Sequence, residues 1–300
     1  MNNYCDIDKT IACICNCQYK YFLNKANVIG VGLGYKIKHG FYNFQKCITV
    51  FVRKKVSLNE LSSQDFIPEK YMNISTDVVE CGRPMTCSLR GKIRPVLGGY
   101  SIGVHGLGAG TMGCLVGDSN NDYILTCNHV IAGNSPESKN NDVLQPATQY
   151  GGKIHRDTIG NVYAFDKVIY NENNNFTDSA IAKTDREKSS IDIALIGSIL
   201  GVNTPGMGEN VKKVGATTEL TSGIVRGRYA TIAIKFLGKD AIFKNQIITS
   251  KMSDAGDSGG ILLNKKREAI GLLMADTDTI SIYNSIHAVL SRLNVHILRR

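Results

Sequence analysis

The sequence lacks any run of about 18 apolar residues, the minimum for a membrane-spanning helix, so we expect neither a membrane span nor a membrane partner. Its first 25 residues also lack a basic segment followed by an apolar block, and they carry Asp6, Asp8 and Lys9 instead. No secretory signal is therefore predicted. We expect a cytoplasmic protein, with secretion by another route as the alternative.

Ligands for a zinc site are equally scarce. Cys13, Cys15 and Cys17 form a Cys-x-Cys-x-Cys cluster with Cys5 nearby, and such thiolates could hold a soft metal. However, the chain has no Cys-x-x-Cys pair and no neighbouring histidine to complete a tetrahedron. The nine cysteines are an odd number, and without a secretory signal this favours free thiols over disulfides. We predict reduced cysteines in a mobile N-terminal tail and no metal.

The chain has no nucleic-acid module in which aromatic residues are placed for base stacking. Its formal net charge of +9 favours anionic partners or the steering of acidic substrates. The basic residues are scattered, with small knots at Arg53–Lys55, Lys265–Arg267 and Arg299–Arg300. We interpret them as a solvated basic surface and expect no nucleic-acid partner.

The 300 residues divide by composition into four segments. They are a Cys- and Asn-rich leader at 1–24, a small α/β unit at 25–82, a Gly/Pro-rich linker at 83–110 and a second domain at 111–300. In the α/β unit, β-branched runs predict strands at 28–37, 47–53 and 77–80. The Gly-x-Gly-x-Gly run within the first of these continues as a strand and not as a helix, which argues against a dinucleotide loop.

From residue 111 onward, short apolar segments with the composition of strands alternate with turn residues. This pattern is typical of a β-sandwich or barrel. The asparagine-rich segment 171–175 is predicted to be a surface loop. Near the end, Ile286, Val289, Leu290 and Leu293 recur at helical spacing, and Asn284 or Ser285 can cap the start. The fold class predicted is therefore mostly β with one C-terminal helix, preceded by a small α/β unit.

The strongest chemical motif is Gly256-Asp257-Ser258-Gly259-Gly260. A serine hydroxyl is a weak nucleophile until a base takes its proton, and the transition state then needs N–H donors for its oxyanion. A glycine two residues before the serine lets the backbone turn so that its own N–H and that of Ser258 converge. The motif therefore predicts a nucleophile at Ser258 and an oxyanion hole at Gly256 and Ser258.

A candidate base follows the apolar strand that begins at Tyr123. The segment Thr126-Cys127-Asn128-His129-Val130-Ile131-Ala132 ends this strand in a polar step and a histidine. The preceding Cys114–Val116 strand supplies a hairpin partner, so His129 is expected at a strand end beside a cleft.

Together, this hairpin with Thr-x-Asn-His-Val-Ile-Ala and the downstream Gly-Asp-Ser-Gly-Gly resemble the trypsin/chymotrypsin superfamily of serine peptidases. More closely, the chain resembles bacterial trypsin-like peptidases related to the plant Narrow-leaf proteins. Three further stretches carry that resemblance: the Val-x-Gly-Val-Gly-x-Gly-Tyr-Lys unit, the Gly-Thr-Met-Gly-Cys-Leu-Val strand and the block at 213–223. The resemblance implies a chymotrypsin-like double β-barrel and an endopeptidase that acts on proteins or peptides. It implies no metal or organic cofactor, because the triad is self-contained.

The superfamily order of base, acid and nucleophile leaves two candidates for the acid. In the family template, the acid follows the base by about 45 residues and precedes the nucleophile by about 93. Asp178 lies 49 residues after His129 and 80 before Ser258, whereas Asp192 gives 63 and 66. Asp178 is therefore the predicted acid, and Asp192 the alternative.

The resemblance also raises the question of how Asp257 is paired. In relatives activated by clipping, a new N-terminal ammonium pairs with this buried carboxylate. No clipping site is evident here, and a buried carboxylate without a partner would be costly. We expect an internal partner, either a Lys, an Arg or a hydroxyl. The alternative is a latent enzyme that is cut within 83–110.

By alignment to the family, the specificity pocket should have Met252 and Ser253 at its base and Met274-Ala275-Asp276 as its opposite wall. Met252 departs from the acid that gives trypsin its basic specificity, while Asp276 could bind a basic side chain or narrow the pocket. We therefore predict a basic or small residue before the scissile bond. The alternative to an enzyme is a binding or regulatory protein on an inactive protease fold, and the complete triad argues against it.

Overall fold

The computed structural model describes residues 4–38, 41–82, 88–170 and 175–299. The chain divides into two compact units, Met1–Cys87 and Ser88–Arg300. Of the predicted loop at 171–175, only Asn175 is described; it is buried, and its side-chain amide donates to the carbonyls of Ile169 and Ile242. Arg300 and residues 83–87 of the predicted linker lie outside the described ranges.

The first unit is a four-stranded sheet with two helices. Its elements are α1 (Tyr4–Cys17), α2 (Tyr19–Leu23), β1 (Val28–Lys38), β2 (Phe41–Val52), β3 (Lys70–Tyr71) and β4 (Ile74–Glu80). The strand order is β1-β2-β4-β3, with β2 and β4 parallel and the other pairs antiparallel. Short 3₁₀ turns at Leu58–Glu60 and Ser63–Asp65 lie in the β2–β3 connection. The sequence predicted a small α/β unit at 25–82, but the α-helices of this unit, α1 and α2, both lie before residue 25.

The leader, predicted as a mobile tail, is helical and packed. Ile11 and Ile14, three residues apart on one face of α1, are buried with Phe22 against Ile48 and Val50 of β2. Their burial removes apolar surface from water and so stabilises the helix against the sheet. The many polar residues of the leader hid this apolar face from the sequence analysis. The cysteines whose side chains are described are free thiols throughout the chain.

Within its described residues, the second unit contains eighteen strands, two short α-helices and 3₁₀ turns at Pro136–Ser138 and Thr148–Tyr150. The strands are β5 (Val96–Gly98), β6 (Ser101–Val104), β7 (Ala109–Thr111), β8 (Cys114–Gly117), β9 (Asp122–Thr126), β10 (Asp142–Leu144), β11 (Thr158–Phe165), β12 (Ala180–Thr184), β13 (Ser189–Ile193), β14 (Gly197–Ser198), β15 (Gly201–Val202), β16 (Asn210–Gly215), β17 (Glu219–Phe236), β18 (Lys239–Ser250), β19 (Ile261–Asn264), β20 (Glu268–Asp276), β21 (Ile280–Ser285) and β22 (His296–Ile297). The helices are α3 (Asn128–Ile131) and α4 (Ile286–Leu293).

One sheet has the order β22-β8-β9-β12-β11-β10-β6-β7. The stretch 88–110, predicted as linker, contributes β5, β6 and β7 to the sheets of this unit. Its glycines allow backbones to approach closely: a Cβ on Gly98 would lie 2.3 Å from the carbonyl oxygen of Gly113. A glycine-rich composition therefore marks tight strand packing here and not a flexible connection.

A small sheet has the order β14-β13-β5. A third sheet has the order β15-β20-β19-β16-β17-β18-β21, and β20 also pairs with β21. This additional pairing closes six strands into a barrel, which removes the exposed edges of an open sheet. The predicted C-terminal helix is present as α4, which follows Ser285 and buries Ile286 and Val289. The chain then returns to the first sheet, where β22 pairs with β8.

Among the described residues, no helix combines the length and apolar character needed to cross a membrane.

Candidate active site

His129 lies on the single-turn helix α3, which begins two residues after the end of β9. The buried amide of Asn128 fixes this turn: its Nδ2 donates to the carbonyl of Asp166 at 2.9 Å and to Asn134 Oδ1 at 3.0 Å. The His129 side chain is 27% exposed, so one part of the imidazole is held by the protein while another is open to a ligand.

Asp178 holds His129 at two points. Its Oδ1 accepts the backbone N–H of His129 at 3.0 Å, and its Oδ2 contacts the Nδ1 of the ring. The carboxylate is fully buried, and the Asp178 N–H donates to Asn284 Oδ1 at 3.2 Å. Burial lowers the pKa of His129, but the charge of Asp178 and its hydrogen bond outweigh this, so the pKa lies above its ordinary value.

Asp192, the alternative acid, lies in β13 and accepts a hydrogen bond from the hydroxyl of Ser198. The structure therefore brings Asp178, and not Asp192, to His129.

Ser258 lies in the loop between β18 and β19, and the first sheet holds this loop in place. Thr111, the last residue of β7, donates its N–H to the Ser258 carbonyl at 2.8 Å and its hydroxyl to the Gly256 carbonyl at 2.9 Å. Gly256 has a φ of +99°, a region that favours glycine. A Cβ there would lie 2.5 Å from the Thr217 hydroxyl. Thr111 was not predicted as a site residue, because nothing in its local sequence indicates that its hydroxyl binds Gly256, 145 positions along the chain.

The loop of Ser258 and the turn of His129 share an anchor. Both the Cys127 thiol and the Gly259 N–H donate to the carbonyl oxygen of Leu273, at 3.0 Å and 2.9 Å. No hydrogen bond joins Ser258 Oγ to His129 among the contacts of the described residues. Such bonds are often long in a free enzyme and tighten when substrate is bound.

Asp257 has an internal partner. Its Oδ2 accepts from Lys213 Nζ at 2.8 Å and from the Thr218 hydroxyl at 2.6 Å, and both charged side chains are fully buried. Its carboxylate also accepts the backbone N–H groups of Thr217, Thr218 and Asp254. Burial raises the pKa of Asp257, but Lys213 and these hydrogen bonds outweigh it and hold the pKa below its ordinary value.

The expectation of a Lys or hydroxyl partner for Asp257 thus agrees with the structure. Lys213 itself received no role from the sequence, although the block beginning at Lys213 carried part of the family resemblance. Nothing local marks it, because β16 carries two adjacent lysines, Lys212 and Lys213, and the sequence does not show which of them is buried.

The predicted specificity-pocket residues are only partly available to a ligand. Met252 and Met274 are buried in apolar clusters, and the Ser253 hydroxyl bonds to the Ser281 hydroxyl at 2.7 Å. The Asp276 carboxylate pairs with Lys251. Because Lys251 also pairs with Asp254 at 3.0 Å, one lysine serves two carboxylates, and the negative charge that was expected to attract a basic side chain is only partly matched within the chain. Ala275 stays half-buried.

An aromatic wall beside His129 was not predicted from the sequence. Phe236, at the end of β17, lies edge-on to the imidazole with 6.2 Å between ring centroids. Tyr170 and Phe243 pack on Phe236, and Lys239 lies over the Tyr170 ring. The hairpin β17–β18 therefore places aromatic rings beside His129. Phe236 and His129 are more than 100 residues apart in the sequence, so local periodicity does not reveal this contact.

Cys127, His129 and Asp178 place ligand-type atoms within 4.8 Å of one another. They do not fit a metal well. Burial raises the pKa of the Cys127 thiol well above its ordinary value, and metal binding requires a thiolate. His129 Nδ1 and Asp178 Oδ2 already bind each other. The arrangement suits proton transfer instead: a carboxylate that orients an imidazole, near a loop that carries a serine.

Comparison with known proteins gives the following likenesses. A family described as "Trypsin-like peptidase domain" matches residues 111–272. Among solved structures, Thermobifida fusca protease A is 16% identical with a TM-score of 0.50, covering 68% of this chain and 98% of its own. Cellulomonas bogoriensis chymotrypsin is 15% identical with a TM-score of 0.50, covering 68% and 99%. A glutamic acid specific serine protease is 21% identical with a TM-score of 0.50, covering 68% and 100%.

None of the curated proteins compared with this chain matches it. The structural likenesses show a chymotrypsin-like fold, as the sequence predicted.

Proposed function

The chain belongs to the trypsin-like peptidase domain family, and from that premise we propose that it is a serine endopeptidase with His129, Asp178 and Ser258 as its triad. One observation carries the proposal most directly. Asp178 binds both the ring and the backbone of His129, which fixes the orientation of the imidazole. The loop of Ser258 is anchored to the same Leu273 carbonyl as the turn of His129.

In the proposed reaction, Ser258 Oγ attacks the carbonyl carbon of the scissile bond and its proton passes to Nε2 of His129. The developing oxyanion accepts hydrogen bonds from the N–H groups of Gly256 and Ser258. His129 then gives its proton to the leaving amine, and the acyl-enzyme remains on Ser258. Water, deprotonated by the same imidazole, attacks the acyl carbon, and the imidazolium returns its proton to Ser258 Oγ as the product acid leaves. Asp178 stabilises the imidazolium that forms in each half of the cycle.

The ion pair between Lys213 and Asp257 supports activity without a clipped N-terminus. It supplies from within β16 the cation that clipping supplies in some relatives, so the loop of Ser258 is held in place in the intact chain. We propose that cleavage in 83–110 is not required. Active material should retain its original N-terminus when analysed by intact mass, and activity confined to shortened chains would contradict this.

For the substrate, we propose a protein or peptide with a small residue before the scissile bond. A basic side chain would have to share the Asp276 carboxylate with Lys251, which already contacts it, and this favours a small residue over a basic one. A link to the bacterial relatives of the Narrow-leaf proteins remains a proposal that rests on the sequence stretches named above. A cytoplasmic location likewise remains a proposal, which the buried free thiols of Cys114 and Cys127 favour.

The test is cleavage of an unbiased peptide library, read by mass spectrometry. The wild type should cut peptides with a common residue at one position, and Ser258→Ala should not. Ser291→Ala, on the exposed surface of α4, is the matched control and should cut like the wild type. If neither wild type nor control cuts any peptide while both remain folded, the proposal fails and a binding role on the same fold replaces it.

A further inference from the structure

Two basic knots that are separate in the sequence meet at one cavity of the second unit. Arg267 belongs to the knot Lys265–Arg267 and Arg299 lies near the end of the chain, yet both line an open cavity of about 410 Å³. The other lining residues are Ser198, Ile199 and Leu200. Its volume lies within the range of small-ligand sites.

The backbone of Leu200 ties the two arginines together. Its N–H donates to the Arg267 carbonyl at 2.9 Å, and its carbonyl accepts from Arg299 Nη1 at 3.4 Å. The turn that carries Arg267 is itself fixed, because Asn264 Oδ1 accepts the N–H groups of Lys266 and Glu268. Leu200 therefore binds both the backbone of Arg267 and the guanidinium of Arg299 at the lining of this one cavity.

The acids near this cavity are hydrogen-bonded to side chains other than the two arginines. Asp192 accepts the Ser198 hydroxyl, and Glu268 Oε2 accepts from the amides of Asn203 and Asn264 at 2.9 Å and 2.7 Å. Neither Arg267 nor Arg299 forms an ion pair with a carboxylate in the part of the chain that the structure describes. Two positive charges thus line the cavity without a matching carboxylate from those residues.

We infer that this cavity binds the phosphoryl group of a phosphate monoester. A guanidinium presents N–H donors in a planar fork that matches phosphate oxygens, and two such groups balance the nearly double negative charge of a monoester. A nucleic-acid backbone offers only a singly charged diester, and a carboxylate likewise carries one charge. The ligand is either a phosphorylated side chain of a protein or a small phosphate monoester.

This site is separate from the proposed catalytic centre. Arg267 precedes β20, and Leu273 of the same strand binds Gly259 and Cys127 at the triad. Six residues of strand separate the two positions by about 20 Å. Binding here goes beyond the proposed peptidase activity, and its test measures binding alone, so the two can fail independently.

The test is calorimetric titration of the full chain carrying Ser258→Ala, which prevents self-digestion, with phenyl phosphate at fixed ionic strength. Arg267→Gln and Arg299→Gln should each weaken binding about 10-fold or more, because each removes charged hydrogen bonds worth at least 1.4 kcal/mol. Arg226→Gln, on the exposed face of β17, is the matched control and should change binding less than 2-fold. Arg267→Lys, which keeps the charge without the fork, should give an intermediate loss.

Two further ligands identify the chemistry. Dimethyl phosphate, a diester, should bind at least 10-fold more weakly than phenyl phosphate. A phosphoserine peptide that binds more tightly than phenyl phosphate identifies a protein source, and one that does not identifies a small monoester. Equal losses in the Arg226→Gln control, equal binding of the diester, or no binding of either monoester would overturn the inference. Thermal melting of each variant confirms that folding is intact.

Discussion

Replacing Lys213 by methionine leaves the Asp257 carboxylate buried without its cation. Both side chains are fully buried, and Nζ lies 2.8 Å from Oδ2. Removing one partner of such a pair costs about 3–5 kcal/mol, because the remaining charge is uncompensated. Asp257 keeps one hydroxyl and three backbone N–H donors. We therefore expect a loss at the lower end of this range, a decrease of about 3 kcal/mol in the free energy of unfolding.

The loss should also reach the nucleophile, since Asp257 immediately precedes Ser258. Without Lys213, the loop loses its strongest anchor, and the N–H groups of the oxyanion hole are no longer held in place. We expect the rate at which a fluorophosphonate labels Ser258 to fall by about 100-fold, the effect of losing one oxyanion donor. Urea unfolding measures the first effect and timed labelling measures the second.

The pH dependence follows from the lowered pKa of Asp257. A carboxylate with a depressed folded pKa contributes stability above its unfolded pKa of about 4, and this stability is lost as the pH falls through the folded value. Because Lys213 helps to depress that pKa, Lys213→Met should unfold at a higher pH than the wild type during acid titration.

Lys212→Met, on the same strand with a half-buried side chain, is the matched control and should change stability by less than about 0.5 kcal/mol. The double variant Lys213→Met with Asp257→Asn removes both charges and should recover much of the stability but not the labelling rate. If Lys213→Met is as stable as Lys212→Met and labels as fast, the ion pair does not hold the loop, and the reasoning is refuted.

Four further predictions concern the triad and the oxyanion hole. Asp178→Asn should slow labelling by about 10⁴-fold, because the amide favours the wrong tautomer of His129; a fall below 10-fold would argue against this acid. Since the pKa of His129 is raised, labelling of the wild type should gain rate with a midpoint above pH 6.5. The stability from the His129–Asp178 pair should be fully present below about pH 6.5 and fade as the pH rises through the folded pKa, which urea unfolding across pH measures. Gly256→Ala, whose Cβ would lie 2.5 Å from the Thr217 hydroxyl at a φ of +99°, should lower stability by about 1–3 kcal/mol and labelling by at least 10²-fold; unchanged values would mean that the loop relaxes freely.

The fold of the second unit was predictable because short β-branched strands and turn residues repeat along it, and the helix α4 because its apolar residues share one face. His129 and Ser258 could be found because each is embedded in a local motif. Asp178 was preferred to Asp192 by its spacing and by the resemblance of the Asn-rich loop and Thr177-Asp178 to the family, and the structure places it at the histidine ring.

The residues that sequence reasoning missed act over long separations. Thr111 binds the loop of Ser258 from another sheet, and Lys213 reaches Asp257 across 44 positions. Side-chain volume and burial, which periodicity does not report, explain why Met252 and Met274 pack inside. The helix of the leader was signalled by Ile7, Ile11 and Ile14 at helical spacing, a pattern that was overlooked among the polar residues around it. Glycines at 88–110 looked like a linker because composition does not distinguish a flexible backbone from one packed closely against another.

The most direct test of the central claim is the site at which a fluorophosphonate becomes attached. Wild type and Ser291→Ala should each gain one adduct mass, mapped by peptide sequencing to Ser258, and Ser258→Ala should gain none. Labelling of another residue, or no labelling of a folded wild type at any pH between 6 and 9, would contradict the account of His129, Asp178 and Ser258 as an assembled triad.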